Sequence, residues 1–340
     1  MHVIKVAVVG YGPSFNMGRQ HLTQMRDAGM TPVAVCDTDP ARLKAAEEDF
    51  PGIATYSTVD ALLQDGDADL ITIITPHDSH TAVALQCLDA GKHVVIEKPM
   101  TITTQQCDSL IAAANAHGVV LSTYHNRHWD GHLLEAIEHI SAGEIGDVFR
   151  IECHMGGYDQ PSTWWRSQRS VSGGILYDWG VHLLEYSLQI LAPASMTEVS
   201  GYAKAGFWAD SLPFPDDANE DEGHLTVRFD DGRWLSLNIS SIDAYNKGDR
   251  GILEITGTKG TYLMYFDKWV IRTKMDGVLT IREGKNQAGQ TEKFYQNIEA
   301  AISGREALVI TPEWARRPVH ILDLAVQSAK TGKSLPVKYA

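Results

Sequence analysis

Through its first 150 residues the chain alternates short apolar runs with helical patterns, and this rhythm constrains the fold more than any other feature. The runs are "VIKVAVVG", "TPVAVCD", "DLITIITP", "KHVVIEKP" and "VVLSTYHN". Most place apolar residues at consecutive positions, as strands buried on both faces do. Between them, "ARLKAAEEDF", "STVDALLQDG", "HTAVALQCLDAG" and "TTQQCDSLIAAANAHG" carry helical spacing. A Ser57-x-x-Asp60 start signal and glycine stops at Gly91 and Gly118 help to bound these segments. Strand and helix repeated in this order predict a doubly wound parallel sheet with right-handed crossovers. Ligands of such sheets bind beyond the carboxyl ends of the strands, so the residues that close each strand are the ones to inspect.

After "WDGHLLEAIEHISAGEIG" the rhythm changes. One strong helix, "SGGILYDWGVHLLEYSLQIL", precedes alternating runs including "HLTVRFDDGRWLSLNI", "GILEITGTKGTYLMYF" and "KWVIRTKMDGVLTI". Asp231-Gly232 and Asp276-Gly277 are hairpin turns, which implies an antiparallel sheet. Two helical segments close the chain, around "KFYQNIEAAISG" and "PEWARRPVHILDLAVQSAKTG". A chain of 340 residues exceeds what one ordinary core supports. The expectation is therefore an α/β protein of two domains: 1–128, with the parallel sheet, and 129–340, an α+β domain with a mainly antiparallel sheet. The C-terminal helix is a candidate to pack back on the first domain.

Charge narrows the partners. A formal net charge of -14 argues against nucleic-acid binding, which needs a basic surface to displace counterions. No apolar run approaches the ~18 residues of a membrane span, and the first strand-like run starts at Val3, so a cytoplasmic protein without a leader is expected. Cys36, Cys87, Cys107 and Cys153 lack any C-x-x-C pairing or histidine at zinc spacing and read as buried thiols, with no metal expected. The acidic run "DDANEDE", Asp216 to Glu222, lacks the alternating ligands and central glycine of a calcium loop and reads as a solvated connection.

The first strand ends in "VVGYGPSFNMGRQHL". Gly10 and Gly12 stand where a phosphate-binding turn places them, but the third glycine falls at Gly18 rather than at position 15, where Phe15 stands. Three inserted residues within "PSFNM" restore the pattern, with Gly18 allowing close helix-to-strand packing and the free N–H groups of the helix start favouring a pyrophosphate. Ser14 and Asn16 are candidate donors beside it. The second strand closes on Asp37, 25 residues beyond Gly12 where about 20 is usual, and the longer loop accounts for part of the excess. A carboxylate there accepts from ribose hydroxyls and repels a 2'-phosphate; Asp39 adds to the repulsion, and the first basic residue after them is Arg42. This favours NAD over NADP, against the reading of Asp37 as a cap or turn residue.

Two further features carry chemistry. "EKP" (Glu97, Lys98, Pro99) ends an otherwise apolar strand, and an ammonium there must meet a partner or a ligand. In "SGGILYDWGVH", Asp178 and His182 lie four apart on one helix face, with Glu185 completing the stripe, while Ile175, Leu176, Leu183, Leu184 and Leu188 serve burial. Taken alone, His182 reads more readily as a satisfied buried histidine than as a functional one. Together with "TPHDSH" (Thr75 to His80) and "EITGTKGT" (Glu254 to Thr261), these motifs resemble the Gfo/Idh/MocA family of NAD(P)-dependent oxidoreductases over essentially the whole chain. Three departures stand out: Ser172 for the first glycine of the usual GGG, Glu185 for aspartate, and the longer fingerprint loop.

The resemblance implies a Rossmann domain followed by a domain whose open antiparallel sheet often serves oligomerisation, hence a homodimer or homotetramer. It places Lys98, Asp178 and His182 at the substrate and counts Gly10, Gly12, Ser14, Asn16, Gly18, Asp37, Arg42, Thr75, Pro76, His80, Glu97 and Lys98 on the cofactor side. Hydride transfer from a secondary alcohol needs a base for the hydroxyl proton, and an imidazole with an ordinary pKa near ~6.5 suits that work. Lys98 can stabilise the charge developing on the same oxygen. Two loops offer further groups: "YDQPSTWWRSQRS" with Trp164, Trp165, Arg166 and Arg169, and "YHNRHWD" with Tyr124, His125, Asn126, Arg127 and His128. Tyr124, Asn126, Arg127, Trp165 and Arg166 are the substrate-binding candidates among these. Aromatic faces with many hydrogen-bonding groups suit a sugar, sugar derivative or cyclitol; the tryptophans could equally pack the domain junction and the arginines select a carboxylate or phosphate. Two rival readings are a redox-neutral glycoside-cleaving or epimerising enzyme with tightly held NAD, and a non-catalytic dinucleotide and sugar sensor.

Overall fold

The structure, a computed structural model, describes residues 3–12, 16–244 and 251–338. It divides into two units, one formed by Met1–His125 and Glu292–Val319, the other by Asn126–Thr291 and His320–Ala340.

The first unit is built on β1 (Lys5–Val9), α1 (Met17–Asp27), β2 (Thr31–Cys36), α2 (Pro40–Asp49), β3 (Ala54–Tyr56), α3 (Val59–Asp65), β4 (Leu70–Ile73), α4 (His80–Asp89), β5 (His93–Ile96), α5 (Thr104–His117) and β6 (Leu121–Thr123). The strands form one sheet in the order β3-β2-β1-β4-β5-β6, and every pairing is parallel. The winding reverses between β1 and β4, which is the switch point where such sheets bind ligands. Main-chain bonds bring the strand ends level: Gly10 N–H donates to Cys36 O, Ile74 N–H to Val9 O, and Glu97 N–H to Ile73 O. Gly10, Asp37, Thr75 and Lys98 therefore leave the sheet on one side.

Local signals account for the bounds of α3 and α5. Gly118 closes α5 in the left-handed conformation, and Thr103 with Gln106 opens it as a full capping box. The cap of α3 is Thr58, whose side chain accepts from Ala61 N–H, one residue later than the expected Ser57. The three-residue β3 is an element the apolar runs do not announce.

The expected break after residue 128 falls after His125, and 292–319, expected in the second domain, packs with the first. The reason is aromatic: in α9 (Lys293–Ile302), Phe294 and Tyr295 are buried, and their rings stand 4.9 and 5.8 Å from that of Tyr124.

The second unit carries α6 (Gly131–Ser141), β7 (Val148–Gly156), α7 (Arg169–Ser172), α8 (Leu176–Leu191), β8 (Met196–Lys204), β9 (Glu222–Phe229), β10 (Trp234–Ser240), β11 (Leu253–Gly257), β12 (Gly260–Met264), β13 (Lys268–Met275) and β14 (Val278–Lys285). With β15 (Leu335–Pro336) they form a sheet in the order β14-β13-β12-β11-β7-β10-β9-β8-β15. Among the described residues of this sheet only β7 and β10 pair in parallel. Asp276 (φ 50°) and Gly277 (φ 80°) turn β13 into β14, as the two positive angles of a tight primed hairpin require. α8 lies on β7 and β10. Gly180 faces this sheet, and a Cβ there would stand 3.0 Å from the Leu237 side chain. α10 (Pro312–Thr331) begins in the first unit and ends in the second. No helix among the described residues is long and apolar enough to cross a membrane.

Candidate active site

In the first unit the strand ends converge on the glycine turn. Gly10 adopts φ +97°, and a Cβ there would come within 3.0 Å of the Ile74 carbonyl group, so both backbone and space require glycine. Gly18 takes the packing role expected of the third glycine: a Cβ would lie 2.5 Å from the Tyr11 ring and 3.1 Å from its Cα. Around Gly12 a Cβ would meet nothing within 4 Å, which leaves the turn open on that side. α1 starts at Met17, with Asn16 in the left-handed conformation at its cap and making no side-chain cap bond. Ser14 lies outside the described residues.

Asp37 is held from two sides. Its carboxylate accepts from Tyr11 N–H at 2.6 Å and from Asp39 N–H at 2.9 Å. It thus tethers the glycine turn to the end of β2, and each oxygen keeps lone pairs for further donors. The helix-cap role belongs to Asp39, which accepts from Ala41 N–H, while Arg42 turns back to Asp39 at 3.5 Å. These features fit a dinucleotide: a cradle that a single Cβ would fill, a helix start behind it, and a carboxylate closing the second strand.

Two residues expected on the cofactor side are committed within the protein. His80 is fully buried, with its ring nitrogens 2.9 Å from the carbonyls of Pro99 and Thr75. Burial lowers its pKa despite those carbonyls, and a neutral ring can donate to only one of them. His80 therefore fastens the Thr75–Pro76 turn to the segment after Lys98 rather than facing a ligand. Glu97 engages His21 Nε2 at 3.0 Å with one oxygen and its neighbour's N–H, that of Lys98, with the other at 2.9 Å. Burial pushes its pKa up, but His21 and Lys98 outweigh that and hold it below the ordinary value. His21 in turn contacts the Tyr295 hydroxyl at 2.6 Å.

Sequence reasoning passes over His21 and Tyr295, which together support Glu97. The only signal in the sequence is a histidine on the apolar face of α1 beside Leu22 and Met25. Tyr124, expected at the substrate, is also in this core: it is buried, donates to Gln24 Oε1 at 2.6 Å and packs its ring on His21. Its neighbours are aromatic core residues, which decides its role.

In the second unit, α8 presents Asp178 in its first turn, where the helix dipole favours a carboxylate, and His182 one turn later. Arg166 Nη1 donates to Asp178 at 2.5 Å, and its guanidinium lies 5.4 and 5.0 Å from the ring centres of Trp164 and Trp165. The His182 ring is buried and meets Trp179 edge-on at 5.6 Å. On the Trp179 ring also sits the Arg127 guanidinium, at 5.0 Å. Arg127 donates to Asp130 at 3.0 Å, an oxygen that also accepts from Tyr186 at 2.7 Å. Burial opposes the Arg127 charge, yet Tyr186 and Asp130 raise its pKa above the ordinary value. Glu185, only 1% exposed, meets His128 Nδ1 at 2.6 Å and the Gln189 amide at 2.9 Å. Asn126 opens the short turn Asn126–Trp129 that carries Arg127 and His128.

The acidic run is not a solvated connection. Asp217 accepts from Ser170 N–H at 2.9 Å, and Glu220 pairs with Arg169 at 3.0 Å while accepting from Ile175 N–H at 3.1 Å. Asn219 accepts from the Ser172 hydroxyl and donates to Arg166 O, both within 3 Å. Asp221 accepts from Phe207 and Trp208 N–H. Asp217, Asn219 and Glu220 supply partners to the loop that carries Arg166 and to the start of α8, and Asp221 to the turn at Phe207 and Trp208; both Glu220 and Asp221 are buried. Ser172 is accommodated by the same contact, and its oxygen also accepts from Gly174 N–H at 3.2 Å. All four cysteines are buried thiols.

Comparison with known proteins gives the family. Residues 4–125 match the model of the oxidoreductase family with an NAD-binding Rossmann fold, and 137–338 match that family's C-terminal alpha/beta domain. The Escherichia coli (strain K12) protein "Uncharacterized oxidoreductase YdgJ" is 28% identical over 96% of each chain. The scyllo-inositol 2-dehydrogenase (NADP(+)) IolW of Bacillus subtilis (strain 168) is 25% identical over 99% of this chain and 96% of its own. The structure of levoglucosan dehydrogenase with NADH and levoglucosan superposes with a TM-score of 0.83 at 19% identity, covering 99% of this chain and 100% of the other. The chain is an oxidoreductase of the Gfo/Idh/MocA family, with an NAD-binding Rossmann domain at its N-terminus.

Proposed function

We propose that the protein transfers a hydride between a nicotinamide cofactor and a secondary alcohol of a sugar, sugar derivative or cyclitol. The observation that carries this reading is the α8 stripe: an imidazole one turn from a carboxylate that an arginine holds in place, on a chain whose other unit binds NAD. The names of the relatives, an inositol dehydrogenase among them, support the substrate class.

Gly10, Gly12 and Gly18 leave room for the pyrophosphate, and Asp37 holds the adenosine ribose. Bound NAD supplies the hydride acceptor. His182 takes the hydroxyl proton, and Lys98 donates to the same oxygen and stabilises its negative charge. Asp178, fixed by Arg166, orients the imidazole or accepts from a second hydroxyl, and Asn126, Arg127 and Trp165 complete the polar surround. Asp37 and Asp39 both repel a 2'-phosphate, so NAD is the preferred cofactor even though the name of IolW specifies NADP(+). A homodimer or homotetramer through the C-terminal sheet is the assembly we propose.

The test is a thermal-shift and cofactor-reduction screen with NAD and NADP over sugars, inositols, sugar acids and their phosphates. Stabilisation by NAD and NADH formation with a neutral polyol are expected. Conversion of a sugar without net NADH would replace this reading by a redox-neutral reaction on tightly bound NAD.

A further inference from the structure

A cavity of about 420 Å³ opens at the carboxyl ends of β7 and β10, within the ~300–1,000 Å³ typical of small-molecule sites. Three aromatic rings line it, Trp179, Tyr265 and Phe266, together with the carboxylates Asp159 and Asp267 and the hydroxyls Ser240 and Ser241. Trp179 links it to the α8 stripe, its ring standing 5.6 Å from that of His182 and 5.7 Å from that of Phe266. Phe266 is 47% exposed, an apolar face left uncovered beside acids. The aromatic surface continues past the rim. Asp159 N–H and Trp208 Nε1 both donate to Ser241 O, and Trp208 packs against the exposed rings of Tyr158 and Phe207.

Rings beside carboxylates and hydroxyls match the apolar faces and hydroxyl rims of a sugar. Carboxylates also set the charge a ligand can bring, since they accept from hydroxyl or ammonium groups and repel anions. The arginines that could select an acid are already matched, Arg166 by Asp178 and Arg127 by Asp130, and Lys268, over the Tyr265 ring, has Glu283 at 3.9 Å.

We propose that this cavity is a distal carbohydrate subsite, so that the substrate is a neutral or amine-bearing glycoside of at least two rings rather than a free monosaccharide, a uronate or a sugar phosphate. The proposal rests on the reading of the chain as a sugar dehydrogenase and names the substrate class of that same site.

The test compares full-length wild type with Phe266→Ala and Asp267→Asn, both changes at exposed residues that leave the core intact. Tryptophan fluorescence without cofactor measures binding of methyl glucoside, cellobiose, maltose, lactose, glucuronate and glucose 6-phosphate, and NAD reduction is followed separately. At least one disaccharide is expected to bind about tenfold tighter than methyl glucoside, and each variant to remove most of that advantage while leaving methyl glucoside unchanged. Preference for glucuronate or the phosphate overturns the proposal. So does a variant effect equal for one ring and two, or no binding of any disaccharide. If the binding pattern holds but no NADH forms with any probe, the dehydrogenase reading fails while the subsite stands.

Discussion

At the strand ends of the first unit, polar side chains are tied mainly to backbone: Asp37 to Tyr11 and Asp39 N–H, one oxygen of Glu97 to Lys98 N–H, and His80 to two carbonyls. On α8 in the second unit, the acids are met by side chains from other segments: Asp178 by Arg166, Glu185 by His128. Backbone partners are present whatever the neighbouring side chains are, so the first arrangement belongs to the fold and can hold a common cofactor. Side-chain partners can be exchanged singly, so the second arrangement can be tuned to a substrate. A cofactor site shared by many enzymes and a substrate site particular to one would show this difference.

The comparison can be broken most severely at its chemistry. Lys98→Met and His182→Ala are each expected to slow hydride transfer by about 10²–10⁴-fold, measured as single-turnover NADH formation, and His182→Ala also to lower the melting temperature, because it empties the space of a buried ring. Gly10→Ala comes next, because it strains a positive φ and crowds Ile74. Its NAD affinity is expected to fall at least tenfold by titration calorimetry, together with its melting temperature, whereas Gly12→Ala, whose Cβ meets no protein atom within 4 Å but enters the room left for the pyrophosphate, is expected to lose affinity at an unchanged melting temperature.

Removing His128 leaves the buried Glu185 side chain without its partner at 2.6 Å, and a buried group left unsatisfied costs about 1–3 kcal/mol. His128→Ala is thus expected to lower the melting temperature by several degrees, and Glu185→Gln to lower it less. Arg166→Lys keeps the charge but not the fork, and is expected to raise KM by roughly tenfold with kcat nearly unchanged. An equal fall in kcat would make Arg166 part of the chemistry rather than of substrate positioning.

The smallest effect is on stability against pH. Burial lowers the pKa of His80, His93, His132 and His224 below 6.5. The unfolded chain binds these protons first, so their contribution is complete above about pH 6.5 and declines as pH falls toward the folded values. The melting temperature is expected to drop between pH 7 and 5.5, and less steeply in His93→Gln. A flat profile would mean that these rings titrate alike in the folded and unfolded chain.

How much of this was legible in the sequence follows the same division. The doubly wound order and the glycine turn with Gly18 in third place could be read because each rests on neighbours in the chain. The acidic run was misread because its charges suggest solvent, and nothing local shows that Ser170, Arg169 and Ile175 N–H await them 45 to 51 residues earlier. Tyr124 was misplaced for a related reason. A segment as polar as "YHNRHWD" does not reveal which of its residues turns inward, and the Phe294 and Tyr295 that enclose Tyr124 arrive from α9. β3 escaped notice because three residues are too few to show a period.

The central claim, hydride transfer with Lys98 and His182 handling the alcohol's proton and charge, is tested most directly by mixing NAD-loaded protein with a panel of neutral sugars and cyclitols. The panel includes scyllo-inositol and levoglucosan, and reduced nicotinamide is followed over one turnover. The account predicts a rapid rise for wild type with at least one polyol and its loss by orders of magnitude in both Lys98→Met and His182→Ala. Near-normal rates in both variants would contradict it.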